Sequence, residues 1–131
     1  MAILFGALVG WERQRRHKHA DYRTLVLVAL GAALFIIAAE EIVASTADAN
    51  RLSTLSSVIG GLIGGVGFLG AGTIIHQEDR VEGGTTAAAI WITAGIGVTS
   101  GLGEFALTGI VGVVVLITLM AAPLYNRTNP K

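Results

Sequence analysis

Four groups of residues in this chain are of types that could do chemistry. Gly65-Val66-Gly67-Phe68-Leu69-Gly70 has the G-x-G-x-x-G spacing of a dinucleotide-binding turn. In that role the glycines follow a strand and open a helix whose N-terminus takes the pyrophosphate, and an acidic residue sits about 20 positions further on. Glu40, Glu41, Asp48 and Glu104 are hard oxygen donors of the kind a magnesium ion takes. His17 and His19 form an H-x-H pair, too few ligands for a metal site. Glu12, Arg13, Arg23 and Thr24 bracket a basic segment and offer ion pairing more than catalysis. Neither a serine–histidine–acid set nor a phosphate loop is present, so an enzyme is not expected, and no cofactor or metal is called for.

The elements that must position these groups are read from where charge is missing. Charged residues are 14% of the 131, against about 25% in a soluble domain, and 53% are apolar. Net charge is zero, which offers no electrostatic hold on nucleic acid. The absence of cysteine excludes disulfides and thiolate chemistry. Leu25 to Ala39, Leu52 to Ile75, Gly83 to Gly103 and Phe105 to Asn126 are free of charge. Each approaches or exceeds the roughly 20 apolar helical residues that cross a bilayer. The pattern predicts an all-α, polytopic helical membrane protein with about five transmembrane helices. The spans fall at 1–11, 24–44, 56–76, 85–101 and 105–124, with a cytoplasmic tail over 127–131. Eleven residues reach only about half the depth, so the first span is short or truncated.

Lysine and arginine set the orientation. "WERQRRHKHADYR" holds Arg13, Arg15, Arg16, Lys18 and Arg23, five of the nine basic residues. With that segment inside, Arg80, Arg127 and Lys131 are also inside, and Arg51 alone is outside. The expectation is a bacterial inner-membrane protein, N-terminus out and C-terminus in, whose basic segment meets anionic lipid headgroups. Glu40, Glu41, Asp48 and Glu104 then read as a solvated outer rim.

The glycine run lies in a helix-length apolar stretch with no strand before it, so a nucleotide turn is rejected in favour of helix packing. Small residues four apart let backbones approach in lipid. Gly60, Gly64, Gly67 and Ala71 gather on one side of the projected helix, and Gly61, Gly65 and Gly72 on the next. Leu62, Val66 and Leu69 lie roughly opposite. With Gly70 completing the set, two adjoining small faces predict a central helix that touches two neighbours. Thr85 and Thr86 open the fourth helix and read as its caps. Thr93, Thr99 and Ser100 are placed to hydrogen-bond across helices.

Three ordered motifs carry a resemblance: "GALVGWERQ", "YRTLVLVALGAALF" and "GVGFLGAGTIIHQEDRVEGGTTAAAIWITAGIGV". Together they resemble the MgtC/SapB membrane proteins, with Asp21, Leu25 and Glu82 departing from that family's pattern. The resemblance implies a non-enzymatic regulator of another membrane complex, with the F-type ATP synthase as candidate, linked to growth at low magnesium and to virulence. A small magnesium transporter or channel is the alternative. Implied partners are membrane lipids, a membrane-protein complex and a second copy of the chain. The motifs include Glu12-Arg13 and Arg23-Thr24. They imply that Glu12 pairs with an arginine and helps fix the loop against "HQEDRVEGG".

Overall fold

Five helices and one hairpin form the chain: α1 (Ala2–Arg15), α2 (Tyr22–Thr46), α3 (Arg51–Ala71), β1 (Ile75–Gln77), β2 (Arg80–Glu82), α4 (Gly84–Gly101) and α5 (Phe105–Thr128). The structure is a computed structural model and describes residues 1–16, 21–46, 51–77 and 80–128. The all-α expectation holds, and the chain supplies the five expected helices among its described residues. Two of them, Tyr22–Ser45 and Arg51–Ala71, are long and apolar enough to cross a membrane by length and composition, and Phe105–Ala121 is a shorter apolar helix.

The seam of the bundle is an alanine-rich stripe. Leu25, Ala29, Ala32, Ala33, Ile36, Ala39 and Val43 of α2 are buried at helical spacing, while Leu27, Leu34, Phe35 and Ile37 point outward. Glycines of the neighbouring helices meet this stripe. A Cβ on Gly6 of α1 would lie 3.0 Å from the Leu25 carbonyl, and one on Gly10 would lie 2.5 Å from Tyr22 Cα, so α1 runs antiparallel to α2. Gly97 and Gly101 of α4 abut Ala29 and Ala33 in the same order, so α4 runs parallel to α2. Gly109 and Gly112 of α5 face Met1 and Phe5, which sets α5 alongside α1 in the same direction. The C-terminal end of α1, the N-terminal end of α2, the C-terminal end of α3, and the N-terminal end of α4 therefore share one end of the bundle. Most of the basic residues belong there, and it is called the basic end below.

Helix α3 differs from expectation. It touches α2 and α4, yet it stands at the edge of the bundle and not at its centre. Its buried residues are Val66 and Gly70, with Leu62 half-buried against the same core as Ala89 and Ile90 of α4. This is the side that includes Leu62 and Val66, not the two glycine faces. Gly60, Gly61, Gly64, Gly65 and Gly67 have open space where a Cβ would stand, and Gly72 meets only carbonyls of its own helix. Gly70 alone of the set meets another helix: a Cβ there would lie 3.4 Å from the Ala87 carbonyl. Branched side chains at four-residue spacing interlock with α4 and hold the glycines away from it. Phe68, 80% exposed, and Leu52, 82% exposed, show how much apolar surface α3 turns outward.

Two local features also differ. The helix ends at Ala71, and the expected polar turn is an antiparallel hairpin pairing Ile75 with Glu82 and Gln77 with Arg80. β-Branched Ile74, Ile75 and Val81 favour extended backbone there. Helix α4 is then capped by Gly83, at φ 92°, with no side-chain hydrogen bond at the cap. Thr85 and Thr86 therefore do not cap it: they lie one and two residues inside, Thr85 exposed and Thr86 buried. Only glycine suits this exit, because φ is positive and a Cβ would run into the Thr73 carbonyl.

Candidate functional site at the basic end

Glu12 and Arg13 close α1, and both are buried, at 6% and 3% exposure. Gly6 and Gly10 cause this. Without side chains at those positions, α1 sinks onto α2 and carries its last polar turn below the surface. Arg13 Nε donates to Glu12 Oε2 at 2.8 Å, and Arg16 Nε donates to Glu12 Oε1. A buried carboxylate without partners would be costly, and two guanidinium groups offset that here. Arg13 Nη1 is buried with no hydrogen-bond partner. The cluster of one carboxylate and two guanidinium groups carries a net positive charge.

Arg23 and Thr24 lie at the same end but do not join this cluster. Arg23 pairs with Asp21 at 3.0 Å in an exposed ion pair. Thr24 is exposed and stands at the mouth of an apolar cleft of about 730 Å³ between α2 and α3. The expected pairing of Glu12 with an arginine is present within α1. Glu78 and Asp79, like His17 and His19, lie outside the described residues.

At the other end, Arg51 Nη2 donates to both carboxylate oxygens of Glu40 at 2.8 Å, which ties the start of α3 to the end of α2. Glu41 and Glu104 are exposed, and Asp48 lies outside the described residues. Among the described residues no group of three or more His, Asp or Glu is placed to hold a metal ion. Of the three hydroxyls expected to bridge helices, Thr99 does so. Thr108 of α5 donates to it at 2.9 Å, and Thr99 donates onward to the Ile96 carbonyl at 3.2 Å. The hydroxyls of Thr93 and Ser100 are buried without a partner.

Gly6, Gly10, Gly97 and Gly101 bring their helices against the backbone of α2, and none of them was singled out from the sequence. Their signal was legible: both pairs have G-x-x-x-G spacing, as "GALVG" and "GVTSG".

The MgtC family pattern matches residues 1–128, nearly the whole chain. The chain belongs to the MgtC family. Protein MgtC of Salmonella typhimurium is 44% identical over 104 residues, covering 79% of this chain and 42% of that protein. Protein SrpB of Synechococcus elongatus is 41% identical over 120 residues, 86% of this chain and 65% of its own length. Protein MgtC of Brucella abortus is 40% identical over 102 residues, 78% of this chain and 40% of the relative. The chain thus spans about two-fifths of the length of the MgtC relatives it matches. No solved structure matches it significantly. MgtC family membership and the long apolar helices together make it a membrane protein.

Proposed function

We propose that this MgtC family protein acts in magnesium homeostasis as a non-enzymatic regulator, binding another complex in the bacterial inner membrane through helix contacts. The observation that carries the reading is the open small-residue face of α3, where Gly60, Gly64 and Gly67 have free space beside them. In lipid a helix surface gains association from close backbone contact, and such a face admits a partner helix. The F-type ATP synthase is the candidate partner, and growth at low magnesium and survival in a host are the settings the family suggests. The basic end faces the cytoplasm in this reading, with the N-terminus outside and the C-terminus inside, by the excess of lysine and arginine.

Two measurements test it. ATP-driven proton pumping in inverted membrane vesicles should fall when the protein is present, and a Gly64→Ile, Gly67→Ile variant should lose that effect while remaining folded. Purified protein in liposomes should pass no magnesium. Robust flux abolished by Glu40→Gln with Glu41→Gln would establish the transporter reading instead.

A further inference from the structure

We infer that the cleft between α2 and α3 binds one acyl chain of an anionic phospholipid, with the headgroup phosphate held at the basic end. The inference rests on the membrane placement of the chain and not on its regulatory role.

The dimensions of the cleft match a single leaflet. Its walls run from Thr24 to Phe35 on α2 and from Leu69 back to Val58 on α3. Eleven helical steps at 1.5 Å make it about 16 Å long. The hydrocarbon core of a bilayer is about 30 Å thick, so one leaflet accounts for about half. The volume is about 730 Å³, and Thr24 is the sole polar side chain on the walls. Gly31, Gly61 and Gly65 contribute no side chains to it and have nothing within 4 Å where a Cβ would stand. A slender, flexible chain fits such a space. A partner helix would cross the full depth of the membrane and find this cleft along only half its length.

Polarity runs in one direction along it. The single hydroxyl stands at the end where α2 begins, next in sequence to Arg23. The Arg23 side chain is 74% exposed, and its partner Asp21 is 42% exposed. An ion pair that open to solvent holds the guanidinium loosely, leaving it available to a phosphate. Arg16 and the buried Arg13, whose Nη1 has no partner, lie at the same end of the bundle and add positive potential. Guanidinium groups suit phosphate oxygens because their planar fork presents paired N–H donors. An apolar slot of one-leaflet length, with a hydroxyl at one end and the exposed Arg23 guanidinium next to it in sequence, is complementary to an anionic lipid from headgroup to chain end.

The full chain, purified in neutral detergent, is titrated with phosphatidylglycerol, phosphatidylcholine or glycerol phosphate, and read by native mass spectrometry and thermal unfolding. Phosphatidylglycerol should be retained and raise the melting temperature more than phosphatidylcholine, and glycerol phosphate should do nothing. Gly61→Leu with Gly65→Leu fills the cleft from α3 and should weaken phosphatidylglycerol retention at least tenfold. Gly31→Leu fills it from α2 and should do the same, which keeps the test intact if the double variant does not fold. Arg23→Gln should leave a lipid bound but narrow the preference for phosphatidylglycerol over phosphatidylcholine. Equal effects of the two lipids on the unmodified chain would overturn the inference. So would stabilisation by glycerol phosphate alone, or a dimer mass that disappears when the cleft is filled, since the occupant would then be a free anion or a second copy.

Discussion

Gly97 of α4 lies against the Ala29 carbonyl of α2 so closely that a Cβ on Gly97 would overlap the oxygen. The same contact would set that atom 2.8 Å from Ala32 Cβ, so the obstruction on one side is backbone, which cannot rotate away. Gly97→Leu must push α2 and α4 apart. Overpacking a fitted site costs typically about 1–3 kcal/mol, and a backbone obstacle places this variant at the upper end. The melting temperature in detergent should fall by several degrees. Gly64→Leu, made where no atom lies within 4 Å, should leave it unchanged or raise it, because glycine is a weak helix former.

Glu12 and Arg13 answer to a different term. Removing one partner of a buried ion pair leaves an uncompensated charge and costs about 3–5 kcal/mol. Arg13→Met should therefore destabilise strongly, since Glu12 then keeps only the half-exposed Arg16. The double variant Glu12→Leu, Arg13→Met should recover much of the loss, because apolar replacements of similar volume remove both desolvation costs. Thermal unfolding of the three variants measures this, and a double variant worse than Arg13→Met would contradict it.

The Thr108–Thr99 hydrogen bond joins α4 to α5. Membrane side-chain bonds measured by double-mutant cycles average about 0.6 kcal/mol and reach about 1.7. A cycle of Thr99→Val and Thr108→Val should give a coupling energy within that range. A value near zero would mean the bond contributes nothing beyond packing.

Among the ion pairs of the described residues, in Arg51–Glu40 one guanidinium nitrogen reaches both carboxylate oxygens, yet the Arg51 side chain is 61% exposed. Exposed pairs are worth about 0–1 kcal/mol and are screened by salt. Glu40→Gln should change stability by no more than that, and the difference should shrink at high ionic strength. Geometry ranks this pair above Arg13–Glu12, and burial reverses the order.

Orientation has its own test. Cysteine placed at Ser53 should react with an impermeant thiol reagent in intact cells, and cysteine placed at Arg23 should be shielded. The reverse pattern would put the basic end outside.

The sequence by itself determined the helices, their apolar surfaces and the gathering of arginines at one end. Each is local: charge-free length makes a membrane helix, and lysine and arginine counts need no tertiary knowledge. The pairing of Glu12 with an arginine was implied by the family resemblance, and helix spacing accounts for its Arg16 half, since residues four apart share a face. The sequence did not determine which small residues meet. Gly60, Gly64 and Gly67 form a cleaner stripe than Gly6 and Gly10, yet the second pair carries the helix contact and the first stands open. In water, a buried face is marked by its contrast with a polar one. In lipid, the surroundings are as apolar as the helix interior, so patterning carries little contrast between inside and outside. Shape decides instead: Val66 and Leu62 interlock with α4, Gly97 and Gly101 admit α2, and the tertiary structure alone shows that choice.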